Sequence, residues 1–163
     1  MDTVTIGGYI PGAIGRVTAL HGIYYARDWG FDRGFEAEVA TELGEFMAEF
    51  DAARDGFWIA TRGDAILGAV AIDGRPGAHP GVRLRWFILG DEARGLGIGR
   101  RLMGAAMDFC RERRVPRVYL WTFAGLDAAR HLYDAFGFAV TAEHTDTDWG
   151  APITHQRMEL SLT

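Results

Sequence analysis

One stretch constrains the fold more than any other, "WFILGDEARGLGIGRRLMGAAMDFC" at residues 86–110. An apolar run breaks at Gly90, three glycines then alternate with larger residues, and an apolar repeat near four residues follows. This pattern predicts a buried strand that leads into a helix through a glycine-rich turn. Glycine costs roughly 1 kcal/mol in a helix relative to alanine, so glycines at a helix start indicate that something approaches the backbone there.

The rest of the chain alternates strand and helix patterns around this stretch. Strands are predicted at 3–10, 56–62, 65–73, 82–89, 117–123, 138–146 and 153–162, and helices at 12–27, 31–50, 97–114 and 126–137. The order β-α-α-β-β-β-α-β-α-β-β indicates an α/β domain with a mixed sheet. No linker, repeat or low-complexity segment divides the chain, so we expect a single domain over residues 1–163.

Missing residue types exclude several classes of chemistry. All seventeen basic residues are arginine, which removes the lysine of phosphate-loop hydrolases and any lysine Schiff base. The only serine is Ser161, near the end of the chain, which argues against a serine-hydrolase triad. The five histidines show no close ligand spacing and the lone cysteine cannot assist them, so we expect no metal.

The single cysteine, Cys110, and the hydropathy pattern bear on location. Cys110 cannot form an internal disulfide, which favours a reducing cytoplasm, and it falls on the apolar face of a predicted helix, which favours a buried structural thiol. No apolar run approaches the eighteen or so residues of a membrane span, and the first residues lack the pattern of a signal peptide. We therefore expect a cytoplasmic protein without a membrane partner.

Charge is distributed unevenly along the chain. Residues 1–82 carry six arginines against twelve carboxylates, whereas residues 83–117 carry nine arginines against four carboxylates. One interpretation is that the glycine-rich part faces an anion and the acidic part attracts a cation; an unevenly charged solvated surface is the alternative. Nucleic acid is not an expected partner, because the whole chain is acidic and lacks interleaved basic and aromatic residues.

The glycine-rich turn has the local features of an anion site. Unpaired N–H groups and the positive end of the helix dipole point into the same space at a helix start. The dinucleotide pattern G-x-G-x-x-G fails, since Arg100 and Leu102 stand where its third glycine would fall. The pattern that remains is Arg94-x-x-Gly97-x-Gly99.

This motif and a second one resemble the GNAT superfamily of acyl-CoA-dependent N-acyltransferases. "RGLGIG" at residues 94–99 matches the family signature R/Q-x-x-G-x-G/A, and "AARHLYDAFGF" at residues 128–138 matches its block A-x-x-L-Y-x-x-x-G-F. The element order is similar from the first strand to the last. The resemblance implies a GNAT-like, mixed, mostly antiparallel sheet and acetyl-CoA as co-substrate; a chance glycine turn in another α/β fold is the alternative.

The resemblance also implies how the cofactor is held. Main-chain groups of the fourth strand would bind the pantetheine arm, and amides of the glycine loop would wrap the pyrophosphate, where larger side chains would block it. Two positions depart from the family, Asp91 where proline is common and Leu126 where an asparagine usually helps to hold the arm. The implied cofactor-binding residues are Phe87, Ile88, Leu89, Arg94, Gly95, Leu96, Gly97, Ile98, Gly99 and Arg100.

Acyl transfer from a thioester to an amine needs a neutral amine, donors for the oxyanion and a proton for the leaving thiolate. The resemblance implies a backbone N–H near Leu89, where the fourth strand is expected to splay, as the oxyanion donor. It implies Tyr133 as the acid, with a core aromatic role as the alternative. The fifth strand carries no carboxylate that could act as base, which leaves His21 or a water relay as candidates.

Candidate acceptor-binding residues lie in residues 20–36, which the implied fold puts beside the acceptor site. His21 and Tyr25 are four residues apart and can share a helix face, while Asp28 and Glu36 can bind a cationic amine. Surface or helix-packing roles are the alternative for each. This stretch also resembles, more loosely, the acetyltransferase half of certain MarR-type regulator fusions.

These patterns together predict an N-acetyltransferase. It would move an acetyl group from acetyl-CoA to a primary amine of a small molecule or peptide by direct attack in a ternary complex, since no serine or exposed cysteine is available for an acyl-enzyme. A catalytically weak CoA-binding sensor or interaction module on the same fold is the alternative, and a nucleotide-binding domain without CoA is a third. The strand near the C-terminus can pair across a homodimer.

Overall fold

The elements follow the predicted order along the chain. The structure, a computed structural model, describes residues 3–163. Its strands are β1 (Val4–Gly7), β2 (Gly56–Arg62), β3 (Ala65–Asp73), β4 (Val82–Leu89), β5 (Arg117–Phe123), β6 (Ala139–Asp146) and β7 (Ile153–Ser161). Its helices are α1 (Ala13–Trp29), α2 (Arg33–Ala48), α3 (Ile98–Glu112) and α4 (Asp127–Ala135), with a short 3-10 turn at Asp91–Ala93.

The strands form one sheet in the order β1-β2-β3-β4-β5-β7-β6. Every neighbouring pair is antiparallel except β4 and β5, which run parallel. The predicted mixed, mostly antiparallel α/β sheet is therefore confirmed. Residues 1 and 2 of the predicted single domain lie outside the described residues.

The predicted bounds hold closely because each element carries its own periodicity. The strands β2, β3, β4 and β5 have the predicted ends, and the helices differ from prediction by at most two residues at either end. The first strand was expected to reach residue 10 but ends at Gly7, the last residue that pairs with β2. Gly7 and Gly8 offer no side chain to pack on the sheet, which explains the early end.

Helices α1 and α2 cover one face of the sheet. Val17 of α1 and Leu43 and Phe46 of α2 are fully buried there, in one cluster with Ile59 of β2 and Trp86 of β4. The aromatic and aliphatic core on this face holds α1 and α2 over the end of β4.

Among residues 3–163 no helix is long and apolar enough to cross a membrane.

Helix α3 covers the opposite face. Leu102, Met103 and Cys110 are fully buried in one cluster with Leu67 of β3 and Leu120 of β5. Burial raises the pKa of the Cys110 thiol to about 12, so it stays protonated at neutral pH. The prediction of a buried structural thiol is confirmed.

The contact between β3 and the end of β4 can be tested through two glycines. A Cβ atom on Gly68 of β3 would lie 2.6 Å from the main-chain oxygen of Ile88, whereas one on Gly104 of α3 would meet nothing within 4 Å. We expect Gly68→Ala to lower the free energy of unfolding by about 1–3 kcal/mol, because the strands must move apart. We expect Gly104→Ala to raise it by up to about 1 kcal/mol, because alanine favours the helix. Urea denaturation of both variants measures this, and equal stabilities would contradict it.

Candidate active site

A cavity of about 740 Å³ runs through a gap in the sheet between β4 and β5. The two parallel strands pair only at Val82 with Val118 and at Arg83 with Tyr119, and the ladder then ends. Beyond that point the residues of both strands line the cavity, 86–89 on one side and 120–123 on the other. The predicted splay of the fourth strand is thus present, and it leaves main-chain groups of β4 facing the cavity rather than a neighbouring strand.

A bulge in β4 accompanies the gap. Between the pairs Ala69–Ile88 and Ala71–Arg85 the register shifts, so that β4 carries one residue more than β3. Trp86 at this point has a φ of 50°, an unusual value for a bulky residue. A bulge bends its strand and increases the local twist, which fits the divergence of β4 from β5.

The glycine loop after β4 leaves its amides open. Gly95 and Gly97 have φ values of 77° and 76°, in the left-handed region, and a Cβ atom on either would meet nothing within 4 Å. Gly97 caps the start of α3 and supplies no side chain to bind the first amides of the helix. The first N–H groups of a helix have no partner within the helix, so this end can bind an anion.

Gly99 serves helix packing. A Cβ atom there would lie 3.2 Å from side-chain atoms of both Leu89 and Phe87 and 3.4 Å from Leu132. The missing side chain at position 99 thus permits close contact between α3 and β4, whatever else it permits at the loop.

The implied cofactor-binding residues divide into two groups. Those that line the cavity are Phe87, Ile88, Leu89, Arg94 and Gly95. Those outside its lining are Leu96, Gly97, Ile98, Gly99 and Arg100. Leu96 is 56% exposed, and Ile98 is buried in the core under α3, so only main-chain groups of Ile98 are available to a ligand.

Asp91, the first departure from the family pattern, ties the glycine loop to α1. Arg27 donates from its Nη1 and Nη2 atoms to the two carboxylate oxygens of Asp91, at 2.7 and 3.1 Å. The same guanidinium donates to Asp28 at 2.7 Å. These hydrogen bonds from Arg27 lower the pKa of both carboxyls. Asp28 does not line the cavity, because Arg27 holds it on the surface. The structure therefore gives no support to its predicted role in binding the acceptor.

Glu36 also lies outside the cavity lining. Its side chain packs over Gly22, where any Cβ atom would collide with the Glu36 carboxyl group. Glu36 therefore lies at the contact between α1 and α2 and not at the cavity, which favours the alternative of helix packing over an acceptor role.

His21 and Tyr25 both line the cavity from α1. Their rings stack with centroids 6.3 Å apart, so the predicted common helix face is confirmed. His21 is buried, its Nδ1 lies 2.8 Å from the main-chain oxygen of Val17, and burial lowers its pKa to about 4. The imidazole is neutral at pH 7 with Nδ1 as the donor, which leaves Nε2 as an acceptor.

Tyr133 of α4 lines the same cavity and is 5% exposed. Burial raises the pKa of its hydroxyl above the ordinary value. Burial also raises the pKa of Tyr25, which lines the same cavity. Both hydroxyls keep their protons at neutral pH, which is the state that a general acid requires.

Two histidines that sequence spacing did not connect meet across the β6–β7 hairpin. His144 lies opposite His155, and the rings stack with centroids 4.5 Å apart and 6° between their planes. Asp146 Oδ2 lies 3.0 Å from Nε2 of His155 and 3.5 Å from Nε2 of His144. Within residues 3–163 the buried His155 Nε2 nevertheless has no partner in hydrogen-bond geometry, so the carboxylate lies off the bonding direction.

These three side chains bear on the expectation that the protein holds no metal. Their possible ligand atoms lie within 4.8 Å of one another, although the histidine spacing along the chain gave no sign of it. Because the imidazole planes are parallel, the nitrogen lone pairs do not converge on one point as tetrahedral coordination needs. The three side chains are therefore a cluster of possible ligand atoms without tetrahedral geometry.

The sequence reasoning missed several residues on the acceptor side of the cavity, because distant segments bring them there. Trp149, in the loop between β6 and β7, donates from Nε1 to Glu38 of α2 at 3.0 Å, and its main-chain oxygen accepts from Asp32. The loop is thereby folded over α2. The other missed residues of this region are Glu42, Arg83, Arg85, His144, Asp148 and His155.

The fold and the glycine loop agree with a known family. Residues 23–138 match the model of the acetyltransferase (GNAT) family. The chain belongs to the GNAT acetyltransferase family.

The alignments with curated relatives cover only part of each protein. A mycothiol acetyltransferase of Cellulomonas flavigena is 36% identical over 114 residues, which are 63% of this chain and 31% of the relative. A mouse protein named probable N-acetyltransferase family 8 member 5 is 25% identical over 111 residues, 66% of this chain and 49% of the relative. The matched segments thus span between about a third and a half of the length of these relatives.

Solved structures share the fold along the whole chain. The yncA protein of Salmonella typhimurium, solved with its cofactor acetyl-CoA, has a TM-score of 0.74 at 16% identity, covering 99% of this chain and 95% of that one. An N-acetyltransferase of Staphylococcus aureus has a TM-score of 0.78 at 13% identity, covering 99% of this chain and 100% of that one. At these identities the likeness shows the fold alone.

The buried His21 makes stability depend on pH. Its pKa of about 4 in the folded state lies below the ordinary histidine pKa of 6.5, so protonation favours unfolding. Stability from this group is complete above pH 6.5 and is lost as pH falls from 6.5 towards 4, by about 3 kcal/mol. We expect the free energy of unfolding of the wild type to fall more over this range than that of His21→Gln. The exposed His131 gives the control, His131→Gln, which should match the wild type; equal slopes for all three would contradict the burial effect.

Proposed function

We propose that this protein is an N-acetyltransferase that moves the acetyl group of acetyl-CoA to a primary amine by direct attack in a ternary complex. The observation that carries the proposal is the gap between β4 and β5, where unpaired main chain, Tyr133 and the glycine loop border one cavity. The proposed location is the cytoplasm, supported by the single buried cysteine.

In the proposed complex the cofactor lies along β4 and ends on the α3 side. The pantetheine arm would hydrogen-bond main-chain groups of Phe87, Ile88 and Leu89, which have no strand beside them on the β5 side. The pyrophosphate would sit on the open amides of the loop from Gly95 to Arg100. Support comes from the left-handed glycines of the loop, the uncapped start of α3 and membership of the family.

The proposed reaction has four linked changes. The amine nitrogen bonds to the thioester carbon, and the oxyanion that forms accepts a hydrogen bond from a main-chain N–H near Leu89. The C–S bond then breaks, and the leaving thiolate takes the proton of the Tyr133 hydroxyl. The proton lost by the amine goes to a base, and Tyr133 is reprotonated from solvent before the next turnover.

Two imidazoles that line the cavity are candidates for the base. His21 offers a free Nε2, but its low pKa makes it a weak proton acceptor. His155 has Asp146 beside it to stabilise a positive charge, as in acid–base pairs of imidazole and carboxylate. Replacing each by glutamine separates them, because only the loss of the base lowers kcat and removes the acidic limb of the pH–rate profile.

Cofactor binding at the glycine loop can be tested with Gly97→Glu. A ligand at a hundred times its dissociation constant stabilises a protein by about 2.7 kcal/mol, so acetyl-CoA and CoA should raise the melting temperature of the wild type. The variant should lose this increase, because a side chain at the start of α3 would enter the phosphate space. ATP and NAD serve as competing ligands in the same experiment.

Gly12→Glu is the matched control for this change. Gly12 also caps a helix, has a φ of 93° and has nothing within 4 Å of an added Cβ, so it reproduces the backbone strain without touching the cavity. The cofactor assignment would be wrong if CoA raised the melting temperature of Gly97→Glu as much as that of the wild type, or if CoA did not raise the melting temperature of the wild type. A shift only with ATP or NAD would favour a nucleotide-binding domain.

The acid role predicts a large effect of Tyr133→Phe. Loss of a general acid lowers the rate by roughly 10²-fold or more, so kcat should fall while acetyl-CoA still stabilises the variant. Tyr24→Phe removes a hydroxyl from another tyrosine that lines the cavity and should leave kcat within a fewfold of the wild type. Steady-state release of CoA measures both, and similar kcat values for the two variants would contradict the assignment.

A further inference from the structure

A second cavity of about 600 Å³ adjoins the first one. Arg83, Arg85 and Trp121 line both cavities, so the acceptor side of the gap continues into this space along β4. The two arginines lie at the junction between the cavities.

The carboxylates around this junction are already bound by other arginines. Arg85 donates to Glu42 at 2.6 Å and to Asp73 at 3.3 Å. Arg75 donates to the same Asp73 at 2.8 Å and to Glu49 at 2.9 Å. The acidic groups at the junction are therefore satisfied without Arg83.

Arg83 differs from Arg75 and Arg85 because its guanidinium has no carboxylate partner among residues 3–163. Its Nε atom is buried and has no hydrogen-bond partner among residues 3–163, and no carboxylate of those residues lies within ion-pair distance of its guanidinium. Leaving a buried donor unmatched costs free energy, and Arg83 borders both cavities without a carboxylate partner, so an anionic ligand there would find an unpaired cation. Burial lowers the pKa of Arg83, followed by the charge of Arg85, yet arginine stays ionised in proteins.

We propose that Arg83 binds an oxyanion, a carboxylate or a phosphate group, at the end of the acceptor molecule opposite its reactive amine. This rests on the proposed function and narrows its substrate class. A guanidinium presents a planar fork of donors that matches either oxyanion, and the second cavity gives the group room.

The strand sets the length of such an acceptor. Arg83 pairs with Asp73 of β3 and Leu89 pairs with Gly68, five residues away, so the two ends lie about 17 Å apart at the rise of a strand. The arginine side chain spans part of that distance. The amine and the oxyanion must therefore be separated by several ångströms, as in a short peptide or an amine on a chain of similar length, and a single α-amino acid is too short.

This charge requirement differs from the expectation of a cationic acceptor drawn from the acidic first part of the chain. Glu42 is bound by Arg85, Asp28 by Arg27, and Glu38 accepts from Trp149. None of these three carboxylates has all of its oxygens free for a cationic substrate, whereas the Arg83 donor is free.

The test uses glycine oligomers of one to five residues, each as the free acid and as the C-terminal amide, with acetyl-CoA as donor. In the wild type kcat/KM should peak at an intermediate length for the acids and exceed that of the matched amide at least tenfold. Arg83→Gln should raise KM for the acids and leave kcat and the amides unchanged. An amine with a terminal phosphate, of the length that works best, shows which oxyanion is preferred.

Control variants separate binding from folding. Arg117 is exposed on the neighbouring strand and lies outside both cavities, so Arg117→Gln should behave as the wild type. Arg83→Lys keeps the charge but loses the planar fork and should fall between wild type and Arg83→Gln. Melting temperatures test whether all variants fold. We expect them to match that of the wild type, because removing an unmatched donor should not lower the stability of the protein.

Each outcome decides between the two levels of the proposal. Equal use of acids and amides, or a preference for acids that survives Arg83→Gln, would overturn the oxyanion site and leave the transferase intact. If no amine is acetylated, the proposed function fails, and the site is judged by binding to the CoA-saturated protein. A thermal shift with the peptide acid, absent with its amide and in Arg83→Gln, would then support the site, and equal shifts would refute it.

Discussion

The rest of the site depends on the early end of the ladder between β4 and β5. Two parallel strands that pair at only two positions carry unpaired main-chain groups over the rest of their length. Buried groups of this kind cost free energy unless water or a ligand pairs with them. The bulge at Trp86 makes the separation a fixed feature of β4, because the extra residue turns the strand away from β5. The gap between β4 and β5, called the slot below, is thus a preformed part of the sheet and not of a flexible loop.

The slot connects the two faces of the sheet, which present different groups to the cavity. On the α3 side, Gly99 lets the helix approach β4 closely, and Gly97 begins that helix with open amides. On the other side, α1 and the β6–β7 loop bring His21 and Trp149 to the cavity. In the proposed function, a thioester that crosses the slot would meet the cofactor site on one face and the acceptor site on the other, which suits transfer within a ternary complex.

Local patterns in the sequence predicted what local physics determines. The bounds of β2 to β5 and the glycine loop follow from period, propensity and turn chemistry, and the structure confirms the elements. The bulge at Trp86 has no such signal, because neither glycine nor proline marks it. Asp28 was misplaced because its partner Arg27 is fixed by Asp91, sixty-four positions further along the chain. His144 and His155 meet only through the register of a hairpin, which no spacing rule along the chain reveals.

The net charge of a sequence segment did not predict the charges that face the cavity, because ion pairs between distant segments decide which charged groups remain unpaired. Two acidic residues of the first part of the chain, Glu42 of α2 and Asp73 of β3, are bound by Arg85 of β4 and Arg75 of the loop after β3. At the junction of the two cavities a substrate meets the groups that this pairing leaves over, and the group left over there is Arg83. If Arg83 binds the far end of the acceptor as proposed, the sheet itself sets the distance between the reacting amine and that end, because Arg83 is fixed on the same strand as the slot. Selectivity for length and charge then needs no mobile element.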